Sequence, residues 1–239
     1  SRNALLKEIA GDVVNSVLQQ NRDQSLLLSV SASHSSRALE QYRYLLRDMN
    51  RLGFLDRVRD SLPDEQDLDD RAESQAGLTR PELAVCSAAT KMWVKEELRA
   101  SRLCSDKALE PFLLGYFPAK VQERFHAPIL EHPLRNDIIA SCVINELLPA
   151  IGIPFVHNLS SSSGIPVPAT MKCILAADLI LGSKPLRERL RNLDTPSSCA
   201  GFTELWLELG AALRDASGWL LDTHGSQMSL LEMADLYAP

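Results

Sequence analysis

The sequence has few aromatic residues and no long apolar run. Aromatic residues make up 5% of the 239 residues. Val, Ile and Thr are greatly outnumbered by Leu, Ala, Glu and Arg, which disfavours an all-β domain and favours helices. The longest apolar stretches, such as Ile138–Leu148, are interrupted by polar residues and are shorter than the roughly 20 residues that span a bilayer. We therefore expect neither a β-sheet domain nor a membrane protein.

Positive charge is also in deficit. Lys and Arg together number 25 against 31 Asp and Glu, which gives a formal net charge of -6. A chain of this charge has no general attraction for nucleic acid or for an anionic membrane, so we expect neither as a partner. At 45% hydrophobic residues, the chain can still bury the core of one large domain or two modest ones.

The cysteines and histidines lack the spacing of disulfide or metal sites. The five cysteines are Cys86, Cys104, Cys142, Cys173 and Cys199, an odd number with no Cys-x-x-Cys pair. This pattern argues against a disulfide framework and favours a reducing, cytoplasmic setting in which the thiols pack as small hydrophobes. No two histidines are spaced to share one helix face as metal ligands. The acidic run 64–70 lacks the glycine and the distal glutamate of a calcium loop.

Motifs that hold common cofactors and nucleophiles are missing as well. The sequence has no G-x-G-x-x-G turn, no Walker-type loop and no G-x-S-x-G elbow, the motifs in which backbone amides meet a phosphate or a strained turn exposes a serine. Most carboxylates lie in charged helical faces, where they are solvated. We therefore predict no catalytic, cofactor-binding or metal-binding residue in this chain, and no cofactor.

What the sequence does have is helical periodicity along nearly its whole length. Apolar residues recur every three or four positions in the segments 4–18, 38–52, 83–94, 169–181, 186–193 and 203–221. This spacing places them on one face of a helix, and no alternating stretch typical of a strand occurs between the breaks. We predict an all-α fold, a multi-helix bundle of about 9–12 helices that can divide into two helical subdomains.

The sharpest helix boundary is a capping box. Thr79 precedes Glu82 by three residues, with Pro81 between them and an apolar run after. In this arrangement the hydroxyl and the carboxylate each accept a hydrogen bond from the other residue's backbone N–H, and a first-turn proline loses no helical bond. We predict a helix from Thr79 to about residue 100. The Ser-rich segment 29–36 is predicted to break the preceding helix and to reverse the chain.

Prolines and serines indicate two further breaks. Pro149, Gly152 and Pro154 crowd the end of the helix that follows Pro133, and they are predicted to kink or break it, because a proline inside a helix removes a hydrogen bond and its ring clashes with the preceding turn. The segment 160–168, with four serines, one glycine and two prolines, is predicted to be a joint between subdomains.

Three tryptophans and one basic cluster are the side chains most suited to an interface. Trp93, Trp206 and Trp219 lie in apolar stretches, so we expect them to pack internally, with interface anchoring as the alternative. The basic cluster consists of Lys184, Arg187, Arg189 and Arg191. It could bind a phosphate or an acidic surface, but its interleaving with Glu188 and with leucines favours an ordinary amphipathic helix.

Three stretches carry a family resemblance. They are Leu78–Lys91, the pair Tyr116-Phe117-Pro118 and Glu123-Arg124-Phe125, and His132–Leu159, which includes Asn145, Gly152 and Phe155-Val156-His157. At these spacings the chain resembles the C-terminal region of the large, bacterial type of NAD-dependent glutamate dehydrogenase. Weaker similarities at Arg2-Asn3, 17–21 and 219–221 extend the resemblance over nearly the whole chain. The family usually has leucines where Cys86 and Ser87 stand, and lacks Pro149 and Pro154.

The resemblance implies a parent enzyme several times longer that oxidises L-glutamate with NAD and water to 2-oxoglutarate, ammonium and NADH. Its Gly-rich nucleotide turn and its catalytic lysine would lie upstream of Ser1, so none of those residues carries over to this chain. The first residues, which include neither Met nor a signal layout, also suggest a piece of a longer protein. We then expect residues 1–77 to continue from the catalytic region, 78–160 to form a central helical core, and 161–239 to form a C-terminal helical subdomain.

The function implied is that of a non-catalytic C-terminal domain with a structural, assembly or regulatory role. Its partner would be the parent catalytic domain in cis, within a homo-oligomeric enzyme. One alternative is a free-standing helical interaction scaffold without enzymatic activity, whose apolar stripes bind partner helices. Another is a regulatory module in which the face from Arg187 to Arg191 senses an acidic metabolite.

Overall fold

The computed structural model describes residues 2–193, 199–225 and 227–237. These residues contain twelve α-helices and no strand. The helices are α1 (Arg2–His34), α2 (Leu39–Leu52), α3 (Glu65–Glu73), α4 (Arg80–Ala100), α5 (Glu110–Gly115), α6 (Ala119–Leu130), α7 (Arg135–Ile151), α8 (Phe155–Ser163), α9 (Val167–Ile180), α10 (Ser183–Asn192), α11 (Cys199–His224) and α12 (Leu230–Tyr237). Two 3₁₀ turns, Leu103–Ser105 and Lys107–Leu109, link α4 to α5. The predicted all-α, multi-helix fold is confirmed.

One buried core joins these helices, and α7 and α9 lie at its centre. The core extends from Leu27 on α1 to Met233 on α12. α7 packs against α1, α4, α5 and α11, and α9 packs against α4, α8, α10, α11 and α12. Both central helices are apolar on most sides, which is what a helix needs when it is surrounded by others. The division into subdomains at residues 77 and 160 remains a prediction.

The predicted break in the Ser-rich segment 29–36 is wrong for its first six residues. α1 continues to His34, and the chain reverses in the turn 35–38 that follows. The serines are compatible with the helix because their hydroxyls can bond to a carbonyl one turn earlier. Ser33 Oγ donates to the Val30 carbonyl at 2.8 Å, and Ser35 Oγ donates to the Leu78 carbonyl at 3.3 Å, which ties the turn to the start of α4.

The break predicted from Pro149, Gly152 and Pro154 is present, and it falls at Gly152. α7 runs through Pro149 and ends at Gly152, whose φ of 86° and ψ of 153° suit glycine. α8 then leaves at 92° to α7. The carbonyl of Pro149 accepts a hydrogen bond from another helix, since Trp206 Nε1 of α11 donates to it at 2.8 Å. A proline in the last turn costs one helical hydrogen bond, which surrounding packing can offset, whereas the glycine conformation ends the helix.

The linker predicted at residues 160–168 is shorter in the structure. Residues 160–163 form the last turn of α8, and only residues 164–166 separate it from α9. Serine side chains again supply bonds at the helix end: Ser163 Oγ donates to the Leu159 carbonyl at 2.6 Å, and Ser160 Oγ donates to the Ile165 carbonyl at 2.6 Å. The connection is therefore a tight turn.

No single helix in the described ranges is long and apolar enough to cross a membrane; α7 and α8 reach that length and composition only as a pair bent at 92°.

The capping box predicted at the start of α4 is present and is part of a larger contact. The Glu82 carboxylate accepts a hydrogen bond from the Thr79 backbone N–H at 2.6 Å. Arg71 of α3 donates to both Glu82 oxygens, at 2.7 and 2.8 Å. Burial alone would raise the pKa of Glu82, but the bonds from Arg71 and Thr79 outweigh it and lower the pKa. This contact therefore stabilises the fold above the ordinary carboxyl pKa, and its contribution disappears as the pH falls through the lowered value.

Substitution of the N-cap tests this boundary. We expect Thr79→Ala to lower the free energy of unfolding by about 1 kcal/mol while the helix content stays unchanged, because first-turn N–H groups lose their acceptor. Urea unfolding followed by circular dichroism measures the difference. Thr223→Ala, an exposed position within α11, is the matched control and should change stability by less than about 0.5 kcal/mol. Equal effects of the two substitutions would mean that Thr79 does not cap α4.

Candidate functional site

The first half of α1 has an apolar face that the described part of the chain leaves half exposed. Five side chains on it are between 45% and 56% exposed: Leu6, Val13, Val14, Val17 and Leu18. The face extends over about 18 Å of helix, at 1.5 Å per residue. In this half of α1, the described ion pairs join Glu8 to Arg124 and Lys120 of α6, at 3.1 and 3.7 Å. The sequence predicts the amphipathic periodicity correctly, but it does not tell what covers the apolar side. We call these five residues the α1 face.

A cavity of about 460 Å³, lined mostly by polar side chains, lies beside residues 20–24 of α1. Residues from several of the stretches that carry the family resemblance meet in it: Asn21, Lys91, Tyr116 and Asn145. They come from α1, α4, the end of α5 and α7, so the fold brings together positions that are up to 124 residues apart. We call this space the Lys91 cavity.

The charges in the Lys91 cavity are mostly paired with one another. Lys184 Nζ lies 3.2 Å from Glu146, and Arg191 Nε lies 2.8 Å from Asp23. Lys91 has no described ion pair or hydrogen bond, and burial lowers the pKa of its ammonium group. Three carboxylates and three cations line the cavity, so its charge is balanced.

The cysteine thiols are packed and unreactive. Cys86, Cys104 and Cys173 are buried, Cys142 is partly exposed, and all four are free. Burial raises the pKa of Cys86 to about 12 and the pKa values of Cys104, Cys142 and Cys173 to about 11. These thiols are therefore protonated at neutral pH and are poor nucleophiles. The Cys199 side chain lies outside the described residues. Among the described residues, no group of three His, Cys, Asp or Glu could hold a metal ion.

The tryptophans divide between core and surface. Trp93 and Trp206 are buried, as the sequence predicts. The prediction is wrong for Trp219, which is 50% exposed. Its ring contacts the rings of Tyr237 and His224, at centroid distances of 5.1 and 6.3 Å. It therefore belongs to a surface cluster at the end of α11, next to the buried Leu220 and Leu221.

Arg187 is the largest departure from the sequence-based expectation. Both interpretations of the basic cluster place Arg187 at the surface, yet its side chain is 0% exposed. Its guanidinium binds Asp178 and Ser183 and lies 3.3 Å from Glu146. The Arg187 side chain is enclosed and cannot contact a soluble metabolite in this structure, whereas a sensing role for the rest of the face from Arg187 to Arg191 stays a prediction. A signal was available: Asp178 is a lone carboxylate in an apolar helix, and such a group needs a cationic partner.

A buried histidine contact also escaped sequence analysis. His157 Nε2 lies 2.8 Å from Asp48 Oδ2, and its ring meets the Trp93 ring edge-on at 5.8 Å. The contact joins α8 to α2 and α4, helices that sequence patterns cannot pair.

These observations define an all-helical domain with an apolar face on α1 that the described residues leave half exposed. Comparison with known proteins identifies the class further. A family model described as "Glutamate dehydrogenase, C-terminal" matches residues 75–239, and the chain belongs to that family. The resemblance noted in the sequence is therefore confirmed.

Three bacterial relatives are each called an NAD-specific glutamate dehydrogenase. The one from Mycobacterium tuberculosis is 29% identical over 225 residues, which cover 92% of this chain. The one from Halomonas elongata is 28% identical over 238 residues, or 100% of this chain. The one from Pseudomonas aeruginosa is 28% identical over 227 residues, or 95%. The chain spans only 14 to 15% of the length of these relatives.

Proposed function

We propose that the chain is a non-catalytic C-terminal domain of a cytoplasmic, homo-oligomeric NAD-dependent glutamate dehydrogenase, and that it docks onto the catalytic part of the same polypeptide. The parent reaction is the oxidation of L-glutamate with NAD and water to 2-oxoglutarate, ammonium and NADH. NAD and the catalytic residues are held outside this chain. The α1 face carries the proposal, since an apolar surface of this size marks an interaction site.

The position of the α1 face favours the catalytic part as its occupant. The face lies in α1, ahead of the matched C-terminal region that begins at residue 75. The relatives have most of their length outside the matched segment, so a large folded surface is available in the same chain. Covering five half-exposed apolar side chains would contribute about 4–7 kcal/mol before ordering costs are subtracted. A free-standing scaffold is less well supported, because the similarity to long dehydrogenases extends through α1.

The proposal that this chain is non-catalytic has a direct test. We expect the purified chain, mixed with NAD and L-glutamate, to form no NADH above the buffer rate, because its sequence lacks the Gly-rich turn that holds a dinucleotide. Absorbance at the NADH maximum measures the rate, and the full-length enzyme serves as the positive control. Sustained turnover by the chain alone would contradict the proposal.

The docking part is tested with charge placed on the α1 face. In the full-length enzyme, Val13→Glu with Val17→Glu is expected to speed proteolytic release of this domain, since two carboxylates would be buried without partners. Asn15→Glu with Ser16→Glu, at exposed polar positions of the same helix, adds equal charge and should have little effect. In the isolated chain, both pairs should leave the melting temperature nearly unchanged. Equal proteolysis of both full-length variants would show that the α1 face is not covered.

A further inference from the structure

A second cavity, separate from the α1 face and the Lys91 cavity, lies where α7 bends into α8. Its volume is about 580 Å³, and its walls come from the last turns of α1, the start of α2, the α7–α8 bend and α11. The apolar part of the wall includes Leu27, Val30, Ile151, Phe155 and Leu207. Ligand sites in proteins have this size and this mixture of an apolar wall with a few polar groups.

Three basic side chains from separate elements line the cavity: His34 at the end of α1, Arg37 in the following turn, and Arg214 on α11. Neither arginine has an ion pair in the described part of the chain, although Arg214 Nη1 donates to the Ile151 carbonyl at 3.3 Å. The acidic residue on the wall is Asp215, which is exposed. The cavity therefore has an excess of positive charge, whereas two of the three cations in the Lys91 cavity pair with carboxylates.

The two arginines repel the protonated form of His34. Burial, with the charges of Arg37 and Arg214, lowers the pKa of His34. Burial also lowers the pKa of Arg214, and Asp215 opposes that effect only in part. An anion placed among the three groups would relieve this repulsion, and an imidazole held neutral by its neighbours could take up a proton when the anion binds.

We propose that this cavity, which we call the Arg214 cavity, binds a small carboxylate with a branched or aromatic body. The two guanidinium groups match a carboxylate, which they can hold with charge-assisted hydrogen bonds. The apolar wall matches the body of the ligand and gives no support to a polyphosphate, whose whole surface is charged. The bound molecule would join α1, α8 and α11, so we expect it to stabilise the fold. This inference does not depend on the proposed docking role.

The test uses 3-phenylpropionate as the probe and the 239-residue chain. Titration calorimetry should show saturable binding to one site, and the melting temperature should rise with probe concentration. The neutral isostere 3-phenylpropanamide lacks the charge, and acetate lacks the apolar body, so both should bind much more weakly. Failure of 3-phenylpropionate to bind, or equal binding of the amide, would overturn the proposal.

Substitutions locate the binding. Arg37→Gln with Arg214→Gln should weaken binding of 3-phenylpropionate by at least about tenfold, since each substitution removes a charge-assisted hydrogen bond to the carboxylate. Arg99→Gln with Arg102→Gln removes two exposed cations that do not line the cavity and should leave the affinity unchanged. Arg37→Gln alone changes an exposed residue and keeps the test valid if the Arg214 variant folds poorly. Unchanged affinity in the Arg37 variant and in a folded double variant would refute the assignment.

Discussion

Replacing Arg187 by alanine is expected to lower the free energy of unfolding by about 3–5 kcal/mol, because the substitution leaves a buried carboxylate without its partner. Arg187 is fully buried and Asp178 is nearly so. The guanidinium also supplies bonds to Ser183 and a contact of 3.3 Å to Glu146. Urea unfolding measures the loss. Arg189→Ala, at an exposed position of the same helix, is the control and should change stability by less than about 0.5 kcal/mol.

A double substitution separates the loss of the pair from the loss of packing. Arg187→Met combined with Asp178→Leu replaces both charges by apolar side chains of similar volume, and it is expected to recover most or all of the stability lost in Arg187→Ala. If Arg187→Ala costs no more than Arg189→Ala, the ion pair is not buried in solution. If the double variant is as unstable as the single variant, the geometry of the two helices depends on the charges themselves.

The contrast between the capping box and Arg187 shows which features a sequence can predict. Thr79 and Glu82 are three residues apart, so a local rule determines their contact, and the structure has it. Arg187 lies on a helix whose pattern fits an exposed basic face equally well. Its burial depends on the turn before α10, where Gly182 has a φ of 54°, and this turn directs Arg187 back toward Asp178. Periodicity alone carries no information about that direction.

The same distinction applies to the candidate sites. The apolar spacing of the α1 face is visible in the sequence, but periodicity cannot tell whether the same chain covers it. The Arg214 cavity combines His34 with Arg214, which are 180 residues apart, and no local pattern relates them. At the end of α7, the sequence predicts a kink or break from Pro149, Gly152 and Pro154 together. It does not predict that the helix continues through Pro149, whose carbonyl accepts a hydrogen bond from Trp206, and ends at Gly152.

Alanine at Gly210 is expected to destabilise the protein by about 2–3 kcal/mol, as other overpacked contacts do. At Gly210, α11 approaches the last turn of α7 so closely that a Cβ would lie 2.3 Å from the Ala150 carbonyl oxygen. A backbone atom cannot move aside as a side chain can, so α11 has to shift. The bond from Trp206 to Pro149, one turn earlier on α11, would lengthen, and we expect a change in tryptophan fluorescence to accompany the loss.

Gly218 on the same helix provides the matched control, for which the expected change in stability has the opposite sign. No atom lies within 4 Å of a Cβ built there, so Gly218→Ala should stabilise the protein by about 0.5–1 kcal/mol, the difference in helix propensity between glycine and alanine. The two variants make the same chemical change in the same helix, and only the distance to α7 differs between them. Urea unfolding of both variants measures whether each substitution raises or lowers the free energy of unfolding. Stabilisation by both substitutions would show that α11 does not cross α7 at Gly210. Because α11 also positions Arg214, the walls assigned to the Arg214 cavity would then be wrong as well.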